Sequence, residues 1–190
     1  MDTNVPFLKS WYVLVIIMGV ISGIAVSLVP PVLPIHGIIF GAAAAAYFSL
    51  AIKPRLPPRK YVFWILASAA SFVVAWFELK EALSDTLAQG IAGLIGVSII
   101  AAAFHFFIQR LHGSDIVMLI IAGIFIPVLI FPLAFPVATA ATPLLPPLWP
   151  FWRGIFFVAW QTMVLFVFGH RIHSAQIQQP PEAILRTIEN

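Results

Sequence analysis

With 190 residues, 62% of them apolar and 9% charged, the chain is too greasy for a soluble fold, whose composition runs to roughly 25% charged residues. Ten Lys and Arg against seven Asp and Glu do not indicate nucleic acid, because half of the cations sit beside apolar runs in short loops or tails, where they set membrane topology. The absence of cysteine removes disulfides, thiolate metal sites and thiol nucleophiles, and leaves the redox compartment open.

The apolar residues fall in runs long enough to cross a hydrocarbon core of ~30 Å as helices rising ~1.5 Å per residue. A first span over 11–29 ends at Pro30 and Pro31, since proline stops a helix and restricts the residue before it. It is longer than a signal-peptide core and leads directly into more apolar sequence, so it is expected to be retained. The second span, 34–52, opens on Pro34, which a first helical turn tolerates. The loop 53–60 then carries four cations and three prolines.

A third span, 61–77, opens with interfacial aromatics and closes at the polar stretch 78–85. Ser84 or Asp85 caps the fourth, 87–111, whose apolar part ends at Phe107 and whose helix is expected to continue to Leu111. Gly113 is expected to terminate it, and Ser114 or Asp115 to start the fifth, giving a tight helical hairpin. The fifth span, 116–135, is interrupted by Pro127, Pro132 and Pro136 and is expected to be kinked or broken at its far end. Residues 136–150 read as an extended loop or shallow re-entrant segment. The sixth span, 151–168, enters beside Trp149 and Trp152, and a polar tail follows from Arg171, in which 181–188 could form a surface amphipathic helix.

The expected fold is therefore all-α, a single polytopic bundle over 1–170 with about six spans and a cytoplasmic tail over 171–190. If the amino terminus is cytoplasmic, that side holds Lys9, Lys53, Arg55, Arg59, Lys60, Arg110, Arg171 and Arg186, against only Lys80 and Arg153 outside. This positive-inside bias places both termini in the cytoplasm, and a plasma or inner membrane is the expected location. A five-span arrangement, with the fifth segment only dipping in, weakens that bias.

Helices in lipid associate through close contact of small residues and hydrogen bonds. Gly19, Gly23 and Ser27 recur every fourth residue on the first span, and Gly37, Gly41, Ala45 and Ser49 on the second. With few residues between them, these two helices are expected to pair antiparallel through those faces. Ala67, Ser71 and Ala75, and Ala88, Ala92 and Gly96, repeat the spacing. The stripes either hold the bundle together or face another membrane subunit or a second copy.

His105, Gln109 and His112 fall at i, i+4 and i+7, one face of the fourth helix if it runs to Leu111, and His170 and His173 stand at the same end of the sixth. Imidazoles from facing helices can ligate haem iron or another metal, so His105, His112, His170 and His173 form a candidate metal set. Against this, His112, His170 and His173 lie beside Arg110 and Arg171, where headgroups solvate them. His105, between Phe104 and Phe106, needs a hydrogen-bonding partner or a metal. His36 could approach Glu78 or Asp85 as a proton site. Gln161, mid-span, should bond to a neighbouring helix.

Mid-span carboxylates and cations are absent, as are a nucleophile elbow, a zinc-protease helix, a phosphate loop and paired aspartates. The leading functional expectation is a non-catalytic membrane component, either a subunit of a larger assembly or a small carrier of neutral or apolar ligand, with the lipid bilayer as its first partner. The alternative is a redox or metal protein using the histidines, with haem or a metal ion as cofactor.

Overall fold

The computed structural model describes residues 11–29, 33–53, 55–81, 86–141 and 149–177. They form six helices: α1 (Trp11–Leu28), α2 (Leu33–Ala51), α3 (Pro58–Glu81), α4 (Thr86–Ala103), α5 (Gly113–Ala141) and α6 (Trp149–Ile177), with a π-helical turn, Phe104–Ile108, appended to α4. Among the described residues four stretches are long and apolar enough to cross a membrane, Trp11–Leu28, Pro34–Ala51, Gly90–Ile108 and Ile155–Gln176, and Gly113–Ile126 adds a shorter apolar helix. With that composition, the chain is a multi-pass helical membrane protein.

The helices close a ring in which each packs on its sequence neighbours and α6 returns to α1. The most extensive seam is α1 with α6, followed by α2 with α3. Here the structure departs from the expected pairing of α1 and α2 through their glycines. A Cβ on Gly19 would lie 2.7 Å from Thr162 Cα, and one on Gly23 would lie 2.6 Å from Val158 Cα, both on α6. On α2, a Cβ at Gly37 would lie 2.5 Å from Ala69 Cα, and one at Gly41 would lie 3.0 Å from Ile65 Cα, both on α3. Residue spacing identifies a small face, but not which neighbour closes on it.

The centre is aromatic. Phe104, the first residue of the π-helical turn, stacks on Phe168 of α6 with centroids 4.1 Å apart and planes 4° from parallel. Phe48 of α2 and Trp64 of α3 meet both rings edge-on, Trp64 lying 5.6 Å from Phe168 and Phe48 5.5 Å from Phe104. Such offset and edge contacts contribute about 0.5–1.5 kcal/mol each beyond area burial, which matters in lipid, where burial alone gains little. The Trp64 indole also donates to the Gly41 carbonyl at 3.0 Å, an approach that the missing side chain of Gly41 opens. The exterior is apolar too: Ile16, Ile21, Ile24 and Leu28 on α1, and Val62, Phe63 and Leu66 on α3, point outward, as lipid-facing residues do.

Three further expectations are corrected. The fourth helix does not continue to Leu111; after the π-helical turn the backbone becomes extended at Gln109 (φ −152°, ψ 137°), and Gly113 opens α5 rather than ending α4. The fifth helix is not broken by its prolines, and residues 136–141, expected as loop, continue it. Each proline deprives the carbonyl four residues earlier, at Gly123, Val128 and Pro132, of its helical donor, a loss that membrane helices tolerate through neighbouring groups and local adjustment. Finally, α6 begins at Trp149 and runs through Arg171 to Ile177, so the expected tail starts as packed helix, with Arg171 and Ile172 buried. The expected loop residues 142–148 and the amphipathic stretch 181–188 lie outside the described residues.

Candidate functional site

Two groups of buried polar side chains stand out in an otherwise apolar molecule. The first lies midway along the α1–α6 seam. Gln161 is fully buried, and its Oε1 accepts from the Ser22 hydroxyl at 2.5 Å, the same hydroxyl lying 3.2 Å from the Gly19 carbonyl. One hydroxyl proton thus serves two acceptors. Gln161 Nε2 and the neighbouring Thr162 Oγ1 are buried with no hydrogen-bond partner among the described residues. Gln161 therefore bonds across helices, to a serine that the glycine spacing of α1 had hidden.

The second group fastens the connection between α4 and α5 to α6. Asp115 Oδ2 accepts from the His112 backbone N–H at 2.8 Å, and the Asp115 N–H donates back to the His112 carbonyl at 3.1 Å. This reciprocal cap satisfies groups that the start of α5 would otherwise leave open. Arg171 of α6 reaches across, its Nε donating to the Arg110 carbonyl at 2.7 Å and lying 3.8 Å from Asp115 Oδ2. Both charged residues are buried, Asp115 at 7% and Arg171 at 8% exposure, so each relieves the desolvation of the other. One turn further on, Gln176 Nε2 donates to the Ala51 carbonyl at the end of α2, at 2.6 Å.

His105 takes part in the same connection, its Nδ1 accepting from the Leu111 N–H at 3.1 Å. This is the partner its apolar setting demanded. The anticipated row of His105, Gln109 and His112 is dispersed, because the chain leaves the helix between the first residue and the other two. His112 is exposed. His170 and His173, also exposed, lie against Trp11 of α1, His173 stacked on the indole at 5.7 Å and 26°. Among the described residues no three His, Asp or Glu side chains converge as a metal site would require. His36 is buried, with Phe157 at 5.9 Å and Phe72 at 6.5 Å. Glu78 falls in the part of α3 where only the backbone is described, and Asp85 lies outside the described residues.

Sequence reading missed Asp115 and Arg171 as a pair. A signal was available: Asp115 is the only carboxylate between residues 86 and 181, and a lone acid at a span end calls for a cation. The arrangement as a whole is one of fastening, with polar atoms tying helix ends and seams together. Comparison with models of known families, with characterised proteins and with solved structures finds no match to this chain.

Proposed function

We propose that the chain is a non-catalytic membrane component that acts through its intramembrane surface, foremost as a subunit of a larger assembly and otherwise as a small carrier of neutral or apolar ligand. The observation that carries this reading is the outer face of α5. Asp115, Leu119, Ala122 and Gly123 turn inward, whereas Ile116, Val117, Met118, Ile120, Ile121, Phe125 and Leu129 are exposed. At about 100° per residue, the outward set sweeps more than half of the helix circumference. A neighbouring helix has room there without disturbing the ring.

The polar residues support the same reading, because Arg171, Asp115, His105, Ser22 and Gln176 all serve bonds that hold helices together. Six spans with both termini cytoplasmic belong to the proposal. That orientation is supported by Lys53, Arg55, Arg59, Lys60, Arg110 and Arg171, which gather at the end of the bundle where Gln176 meets Ala51 and Arg171 meets Arg110.

The test is purification from native membrane in mild detergent, with a photo-crosslinking residue in place of Met118 or Phe125 and, as control, of buried Leu119. Capture of a defined protein from Met118 and Phe125, but not from Leu119, is expected. A solitary chain that crosslinks only lipid and moves no solute overturns the proposal.

A further inference from the structure

The end of the bundle that carries the cations also carries an apolar aromatic surface, and the two meet at one place. Phe63 of α3 stacks on Phe107 of the π-helical turn, centroids 5.3 Å apart and planes 15° from parallel. Phe63 is 50% exposed and the adjoining Phe106 76%, so the aromatic pair forms part of the outer surface. Arg59 lies four residues before Phe63, on the same face of α3, and Arg110 lies three residues after Phe107.

Helix α3 leaves this end of the bundle and α4 with its π-helical turn returns to it. Arg59 and Arg110 therefore both stand beyond the stacked rings, on the headgroup side. Both are exposed, as are Lys53 and Arg55, while Lys60 is half-buried. The carboxylate nearest Arg110 in the sequence, Asp115, is engaged by Arg171, and the five cations have no ion-pair partner among the described residues.

We infer that the seam between the start of α3 and the π-helical turn is a binding site for an anionic phospholipid of the surrounding leaflet. Its phosphate lies between Arg59 and Arg110, and an acyl chain runs over Phe106, Phe107 and Phe63. Charge alone would attract anionic lipid diffusely along the whole loop. A partly exposed aromatic pair one turn from Arg59 and three residues from Arg110 gives one position a place for both ends of the molecule. Arginine suits it, because its planar fork grips phosphate by two bonds.

The test measures retained lipid by native mass spectrometry of detergent-purified protein after incubation with phosphatidylglycerol or phosphatidylcholine of identical acyl chains. The wild type is expected to retain phosphatidylglycerol at least tenfold better. A direct hydrogen bond to a charged group is worth about tenfold or more in affinity, so R59Q/R110Q, which gives up two such partners, should lose roughly 100-fold. K53Q/R55Q, with the same change in charge, should lose much less. F107A, with every cation kept, should also weaken retention, and millimolar inorganic phosphate should not displace the lipid. Equal losses in the two double variants, an unaffected F107A, or displacement by free phosphate would each overturn the site. Unchanged helicity and monodispersity of the variants keep a folding defect from passing as lost binding.

Discussion

Replacing Gly23 by alanine tests the α1–α6 seam with the smallest available probe. The added methyl would stand 2.6 Å from both the Cα and the backbone N of Val158, whereas carbon atoms rest at about 3.5–4.0 Å. Backbone cannot step aside as a side-chain tip can, so α1 must move off α6 by about 1 Å over the turn that also carries the Ser22–Gln161 bond. Overpacking of this kind costs about 1–3 kcal/mol, and the higher helix propensity of alanine returns at most about 1 kcal/mol. The control is Gly96→Ala, whose methyl would meet Ala75 Cβ at 3.5 Å and the Ser71 carbonyl at 3.8 Å, ordinary contact distances. Reversible unfolding in mixed micelles with increasing dodecyl sulfate measures both. Gly23→Ala should lose on the order of 1–2 kcal/mol, and Gly96→Ala, free of the clash, should be unchanged or gain up to about 1 kcal/mol. Equal stability of the two variants would refute the assignment of this seam.

Arg171→Met leaves Asp115 buried beside a thioether that cannot pair with it and removes the donor to the Arg110 carbonyl; a loss of about 2–4 kcal/mol in the same assay is expected, since breaking a buried pair strands a charge. Asp115→Asn should be milder, because Arg171 keeps its bond to the Arg110 carbonyl and an amide oxygen still accepts from the His112 N–H; a loss equal to that of Arg171→Met would show that the bond to the Arg110 carbonyl contributes little. At Gln161, leucine removes an amide whose Nε2 has no partner among the described residues and leaves Ser22 its bond to the Gly19 carbonyl. Gln161→Leu should therefore fall within about 1 kcal/mol of wild type, and a larger loss would mean that the buried amide does more than join two helices.

Much of the fold was legible because lipid imposes simple demands. Long apolar runs must become helices, prolines and cations mark their ends, and a small residue every fourth position marks a face of close contact. What the runs do not encode is which partner closes on a face: Gly19 and Gly23 meet α6, more than a hundred residues away, and not the adjacent α2. The end of α4 misled for another reason. The pattern from Phe104 to Leu111 fits an α-helix, and an apolar period gives no sign of a π-helical turn with a bond from the Gln109 N–H to the Phe104 carbonyl.

The candidate site divides in the same way. That Gln161 and His105 each require a partner followed from the expense of an unpaired polar group in hydrocarbon. The partners themselves, Ser22 and the Leu111 N–H, could not be read, because one depends on long-range packing and the other on a turn whose backbone the sequence disguised. Arg171 was read as the start of a tail since a cation after an apolar run ordinarily marks exit from the membrane.

That α1 finds its main neighbour in α6 also sets the order of events on the ribosome. About 150 residues separate the end of α1 from the end of α6, and at ~5–20 residues per second their synthesis occupies roughly 7–30 s. Throughout that interval the nascent chain holds its first glycine face against lipid or the insertion machinery, with no permanent neighbour. Any chain released early, before the last helix is threaded, exposes the same face to quality control.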